Sequence, residues 1–285
     1  MRRGWRATGI DWHRNSTEPR HLPVTLAAYR VVGAERNARP NDTTSNGTHL
    51  DPRGVRDREK RAMATFVLVP GGWKGSWAYE AVVPLLERAG HAVHALTLTG
   101  LRPDDDEATV ATANLDTHAG DVLRLLDRAH LTGVTLVGHS YGGMAIAAAA
   151  DRAAGRITRL VHLDACVPRD GESWWSSMND HFRQLCVSGA AATGYAVQPP
   201  AGGSNDPRRR PQPLASFLQA VRLTGAVDRV PRREFVYCSG WDRTPFAGVR
   251  SRLLVDPGWR VHEISTGHDA MHEAPETVAA LLLDE

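Results

Sequence analysis

Residues 134–145 read Val-Thr-Leu-Val-Gly-His-Ser-Tyr-Gly-Gly-Met-Ala, and an alanine-rich stretch continues to Ala150. The apolar, β-branched run Val134 to Val137 has the composition of a buried strand, and the stretch that follows has that of a helix. Gly138-His139-Ser140-Tyr141-Gly142 is therefore a Gly-x-Ser-x-Gly set between strand and helix, the context of a nucleophile elbow. A serine on so tight a turn is held in a strained backbone with its Oγ exposed. Side chains two positions to either side would collide, hence Gly138 and Gly142. The first amide of the helix, that of Tyr141, faces the same spot and is a candidate oxyanion donor. The chemistry is attack by a serine oxygen on an acyl carbon. In the plainer alternative the glycines only let a helix lie close to a sheet.

A serine hydroxyl needs a base, and the base needs an orienting carboxylate. His268, in Ser265-Thr-Gly-His-Asp269, follows directly on the last apolar run, Trp259 to Ile264. His139 adjoins the serine, but its side chain is expected to point away from Oγ. Two carboxylates compete for the acid. Asp242 stands two residues after Gly240, behind the apolar run 234–238, and Asp164 closes Val161-His-Leu-Asp164. Either could instead cap a loop, but a carboxylate ending a buried strand requires polar partners. The second oxyanion donor is expected on the loop Pro70-Gly-Gly-Trp73, at the Gly72 amide, after the apolar run 65–69. His268 and His272 are four apart. Without a His-Glu-x-x-His motif or a third ligand, neither a metal nor any other cofactor is expected.

The elements that must position these residues alternate. Strands are expected at 65–69, 92–98, 134–137, 157–164, 234–238 and 259–264, and helices at 77–89, 115–129, after Ser140 to about 152, and at 275–283. Residues 99–113, with three successive aspartates at 104–106, are expected to form a polar loop. Such alternation implies an α/β fold, a mostly parallel sheet with helices on both faces. Residues 166–233 break the rhythm and hold Trp174-Trp175, the place for an inserted cap with an apolar lid. Arg208-Arg209-Arg210 reads as solvated cap surface.

The 285 residues are 42% hydrophobic, enough for one sizeable α/β domain over 63–285. A net charge of +2 points to no nucleic-acid partner. No apolar run approaches a membrane span, so no membrane partner is expected. Three scattered cysteines fit a reducing, cytoplasmic setting. Residues 1–62 differ: they carry 13 Lys and Arg against 7 Asp and Glu, and lack the continuous apolar core of a secretory signal. They are expected to be disordered or a spurious extension, with the functional chain opening at Met63.

Four segments carry a family resemblance: Phe66-Val-Leu-Val-Pro-Gly-Gly-Trp-Lys-Gly-Ser-Trp77, Leu96-Thr-Leu-Thr-Gly-Leu101, Val137-Gly-His-Ser-Tyr-Gly-Gly-Met144 and Thr266-Gly-His-Asp269. They resemble small bacterial α/β-hydrolases, which are similar to the plant methylesterase, salicylate-binding and hydroxynitrile lyase family. The resemblance spans 63–285 and is weakest in the cap. It implies the α/β-hydrolase fold, with Ser140 and His268 as nucleophile and base. The bacterial relatives commonly carry a Leu-Asp-Ala-x-Val-Pro segment like Leu163 to Pro168, which tilts the choice of acid to Asp164 over Asp242. Where the lyases have a Thr this chain has Gly71, and where they have a Lys after the histidine it has Asp269. Both departures oppose cyanohydrin cleavage. The expectation is a cofactor-independent serine hydrolase cleaving a small-molecule carboxylic ester through an acyl-enzyme, with a homodimer left open. The alternatives are a lyase or other pathway enzyme using the same triad, and a non-catalytic ligand receptor.

Overall fold

The computed structural model describes residues 29–32, 63–201, 206–242 and 244–284. Short runs that are apolar at nearly every position must be covered on both faces, which is the property of strands in a parallel sheet. Strands β1 (Tyr29–Val32), β2 (Thr65–Val69), β3 (Ala92–Ala95), β4 (Val134–His139) and β5 (Ile157–Leu163) come first along the chain. The two-residue strands β6 (Ala196–Val197) and β7 (Gln212–Pro213) follow, then β8 (Arg232–Cys238) and β9 (Arg260–Ile264). The main sheet has the order β1-β9-β8-β5-β4-β2-β3. Six of its strands are parallel, and β1 joins the β9 edge antiparallel, Tyr29 opposite Ile264. Apart from β1, the segment 1–62, expected to be disordered or spurious, lies outside the described residues.

The helices are α1 (Val83–Arg88), α2 (Glu107–Thr112), α3 (Leu115–Arg128), α4 (Gly142–Ala153), α5 (Trp174–Ser177), α6 (Asp180–Ala190), α7 (Leu214–Leu218), α8 (Ala247–Leu254), α9 (Ala270–Glu273) and α10 (Pro275–Leu283). Alternate residues of β2 divide the core between the two faces. Val67 and Val69 pack with residues of α3, α4 and α8, whereas Phe66 and Leu68 pack with those of α1, α9 and α10. Helix α3 begins on a reciprocal cap, in which the Asn114 side chain accepts from the Thr117 amide at 2.9 Å and Thr117 Oγ1 from the Asn114 amide at 3.2 Å.

Three local expectations are corrected. The expected polar loop 99–113 contains α2, whose amide at Thr109 is capped by Asp106 at 2.8 Å. The expected helix 77–89 is a 3-10 turn, Ser76–Tyr79, followed by α1, which starts with Pro84 in its first turn. The strand expected at 92–98 ends at Ala95. The cap is built from α5, α6, α7 and the β6–β7 pair. Among the described residues, no helix is long and apolar enough to cross a membrane.

Candidate active site

Residues 138–142 form the turn between β4 and α4. Ser140 has φ of 52°, a left-handed conformation that L side chains adopt only when the surroundings hold them there. A Cβ on Gly138 would lie 2.8 Å from the Gly142 carbonyl group, and one on Gly142 would lie 2.7 Å from the carbonyl oxygens of Val69 and Pro70. The elbow is thus wedged against the end of β2. Glycine at both positions is a condition of the turn.

Asp164 follows β5 and is also left-handed, with φ of 41°. Its carboxylate is wholly buried and meets three donors. His268 Nδ1 lies 2.7 Å from Oδ2, the Trp241 indole N–H donates to Oδ2 at 3.0 Å, and the Cys238 amide donates to Oδ1 at 3.2 Å. These partners supply the hydrogen bonds that a buried carboxylate requires. Asp242 is exposed and makes no hydrogen bond among the described residues. The structure therefore brings Asp164, and not Asp242, to His268. Trp241 is the residue that sequence reasoning passed over. It sits between Gly240 and Asp242, where the acid was sought, and supplies a donor to the other aspartate.

His139 packs beside His268. Its ring lies 4.5 Å from that of His268, and its Nε2–H donates to the His268 carbonyl at 2.8 Å. Burial, and then the neighbouring His268 and Lys74, hold it well below the ordinary histidine range, so the ring is neutral. It lines the same cavity as His268.

Ser140, His268, Gly72 and Tyr141 line one cavity of about 190 Å³. Neither the Gly72 nor the Tyr141 amide is hydrogen-bonded within the described residues, whereas the next amide, Trp73, donates to Gln212 Oε1 at 3.0 Å. The wall is aromatic: Trp73, Trp174, Phe182, Phe217, Trp241 and Phe246. Trp174 stacks on Phe217 at 3.9 Å. Trp175, expected beside it in the lid, is absent from the lining and packs against the core. At the polar end Lys74 pairs with Asp269, both side chains largely buried. Burial raises the Asp269 carboxyl, but Lys74, with His139 and His268, holds it below the usual carboxylate range. The run Arg208–Arg210 is not plain solvated surface. Arg208 lies over the Trp77 ring at 4.6 Å and pairs with Glu80 at 2.7 Å, while Arg209 lines the cavity.

A family model described as the alpha/beta hydrolase family matches residues 66–281. The chain belongs to the alpha/beta hydrolase family. A relative named carbendazim hydrolyzing esterase, from Nocardioides sp. (strain SG-4G), is 36% identical over 241 residues, covering 77% of this chain and 98% of the relative. Methylesterase 2 of Arabidopsis thaliana is 32% identical over 111 residues, 39% of this chain and 42% of its own. A solved alpha/beta-hydrolase from a Paenibacillus species shares the fold at TM-score 0.64 and 19% identity, covering 77% of this chain and 98% of that one. A solved pyrethroid hydrolase from Sphingobium faniae JZ-2 does so at TM-score 0.61 and 22% identity, over 78% and 96%. This alpha/beta hydrolase thus has relatives named as esterases and hydrolases, and it is an enzyme of that hydrolytic class.

Proposed function

We propose that this hydrolase is a carboxylesterase that cleaves small aromatic esters with a Ser140–His268–Asp164 triad, through an acyl-enzyme. The observation that carries the reading is the 2.7 Å contact of His268 Nδ1 with the buried Asp164, beside a cavity that also holds Ser140. Asp164 fixes the tautomer that leaves Nε2 to take the Ser140 proton as Oγ attacks the acyl carbon. The Gly72 and Tyr141 amides receive the oxyanion, each such donor commonly contributing ~3–4 kcal/mol to the transition state. His268 then returns the proton to the leaving alcohol and activates the water that frees the acid. Neither a metal nor a cofactor enters this sequence.

The aromatic wall of a cavity of about 190 Å³ supports a small aromatic substrate, and the relative named carbendazim hydrolyzing esterase, at 36% identity, supports ester cleavage. The lyase alternative has less support. A Cβ on Gly71 would come within 2.8 Å of His139 Nδ1 and 2.9 Å of Ser140 Cβ, so the side chain the lyases carry there has no room. The cavity ammonium, Lys74, is neutralised by Asp269.

The test is mass spectrometry after a fluorophosphonate, run beside hydrolysis of p-nitrophenyl acetate and carbendazim. One adduct on Ser140, none in Ser140→Ala, and loss of hydrolysis in step with labelling are expected. A folded protein that stays unlabelled and hydrolyses neither compound would overturn the reading.

A further inference from the structure

Trp73, with φ of 65°, is left-handed like Ser140 and Asp164. A bulky aromatic residue does not adopt that conformation unless its surroundings impose it. The hydrogen bonds that fix it come from one direction. Its amide donates to Gln212 Oε1 at 3.0 Å, its carbonyl accepts from the Arg210 amide at 3.0 Å, and its indole N–H donates to the Val197 carbonyl at 2.8 Å. All three partners belong to the cap. Gln212 is wholly buried, lies outside the cavity lining, and is fixed in turn, its Nε2 donating to Ser216 Oγ at 2.8 Å. Ser216 donates to the Pro213 carbonyl at 2.6 Å.

The same cap segment also touches the other half of the oxyanion pair. The Phe217 ring meets Trp73 edge-on at 5.6 Å and Tyr141 edge-on at 5.3 Å, and its Cζ would lie 3.2 Å from a Cβ on Gly72. From behind, the Tyr141 hydroxyl is tied to His118 Nδ1 at 2.7 Å, and His118 Nε2 to the Thr99 carbonyl at 2.8 Å. One amide donor therefore sits on a loop held by the cap, the other on a helix start whose Tyr141 side chain meets His118 of the core and Ser216 of the cap, with Phe217 wedged between them.

We propose that Gln212 is a positioning residue for the oxyanion hole, and that cap residues 210–217 set the spacing of the Gly72 and Tyr141 amides. The inference rests on the esterase reading above. By consuming the Trp73 amide, Gln212 leaves Gly72 as the donor that faces the cavity. It also holds Trp73 in the conformation that aims Gly72. The oxyanion hole is complete only while the cap is seated, so the cap governs turnover as well as substrate choice.

The test compares Gln212→Met, of similar length but without the acceptor, with the wild-type full chain on p-nitrophenyl acetate. Fluorophosphonate titration counts the active sites. An interaction made in the transition state alone lowers kcat and spares KM. The expected result is a fall in kcat per titrated site of roughly 10- to 100-fold, below the effect of deleting a donor outright. KM stays within about twofold, and phosphonylation slows by the same factor as kcat. A merely structural role would lower the titrated fraction and the unfolding temperature and leave kcat per site unchanged. Ser216→Ala, which frees the far end of Gln212, is expected to lose less in the same direction, and decides the matter alone if Gln212→Met does not fold. Unchanged kcat per titrated site in the variants that fold would overturn the proposal. A wild type that is neither labelled nor active would instead overturn the esterase reading.

Discussion

Strand β5 bears on a buried carboxylate and a histidine at each of its ends. Near its start Arg159 reaches Glu234 on β8, which meets His262 on β9; just past its finish Asp164 meets His268 beyond β9. Glu234 receives Arg159 Nε and Nη2, both at 2.9 Å, and His262 Nε2 at 2.9 Å, and pairs with Arg232. The remaining reach of Arg159 goes to the Leu281 and Leu282 carbonyls at 3.0 and 2.6 Å, satisfying the end of α10. Burial would raise the Glu234 carboxyl, but His262 and Arg159 bring it down to about 2. At the other end Asp164 has an indole and an amide in place of a guanidinium, and the backbone is left-handed at Ser140, Asp164 and Trp73. A carboxylate beside a histidine is thus no mark of catalysis by itself. The end proposed as reactive is distinguished by strain, by a cavity, and by a histidine whose carboxylate partner is not already neutralised by arginine.

If the Glu234 end is purely structural, breaking it costs stability and spares chemistry. Glu234→Gln is expected to lose ~3–5 kcal/mol in urea unfolding, because Arg159 keeps a buried charge without its counter-ion. Turnover per titrated site should stay within about twofold of wild type, since no transition-state contact is removed. A large fall in turnover per site would erase the distinction between the two ends.

Much of the reactive end is written in local sequence. Ser140 and His268 each lie in a short motif at the end of an apolar run, so strand, turn and helix can be read around them. The choice between Asp164 and Asp242 is different in kind. Both end apolar runs, and only strand order and the Trp241 indole separate them. The pairs Lys74–Asp269 and Trp73–Gln212 join residues 195 and 139 positions apart, and no periodicity reports such contacts. Arg159–Glu234 was missed for the same reason: Arg159 stands within β5 and Glu234 follows two arginines at the start of β8, and the pair has meaning only once β5 and β8 are neighbours. The cap was legible as a break in rhythm, but not as a support for the oxyanion loop.

A smaller effect sharpens the contrast through pH. His118 and His162 are buried and pushed down to about 4, chiefly by burial. Their folded values lie below the ordinary one, so the unfolded chain binds more protons between pH 6.5 and 4. The stability they allow is therefore full above pH 6.5 and is lost as pH falls. At pH 5 the loss is ~2 kcal/mol for each histidine. Glu234, also depressed, adds its loss only below its ordinary value of 4.5. Urea midpoints at pH 7.5 and 5.0 check this, and equal midpoints would contradict it. The smallest expected effect is that of Asp242→Asn, within about twofold of wild type in kcat, as befits an exposed side chain outside the transition state.

The central claim is that Asp164, at the far end of β5, orients the histidine that activates Ser140. The most direct measurement is kcat per phosphonate-titrated site for Asp164→Asn on p-nitrophenyl acetate. An amide there favours the wrong tautomer of His268, and a fall of about 10⁴-fold is expected with the fold retained. A folded Asp164→Asn protein that turns over within about tenfold of wild type would contradict the account.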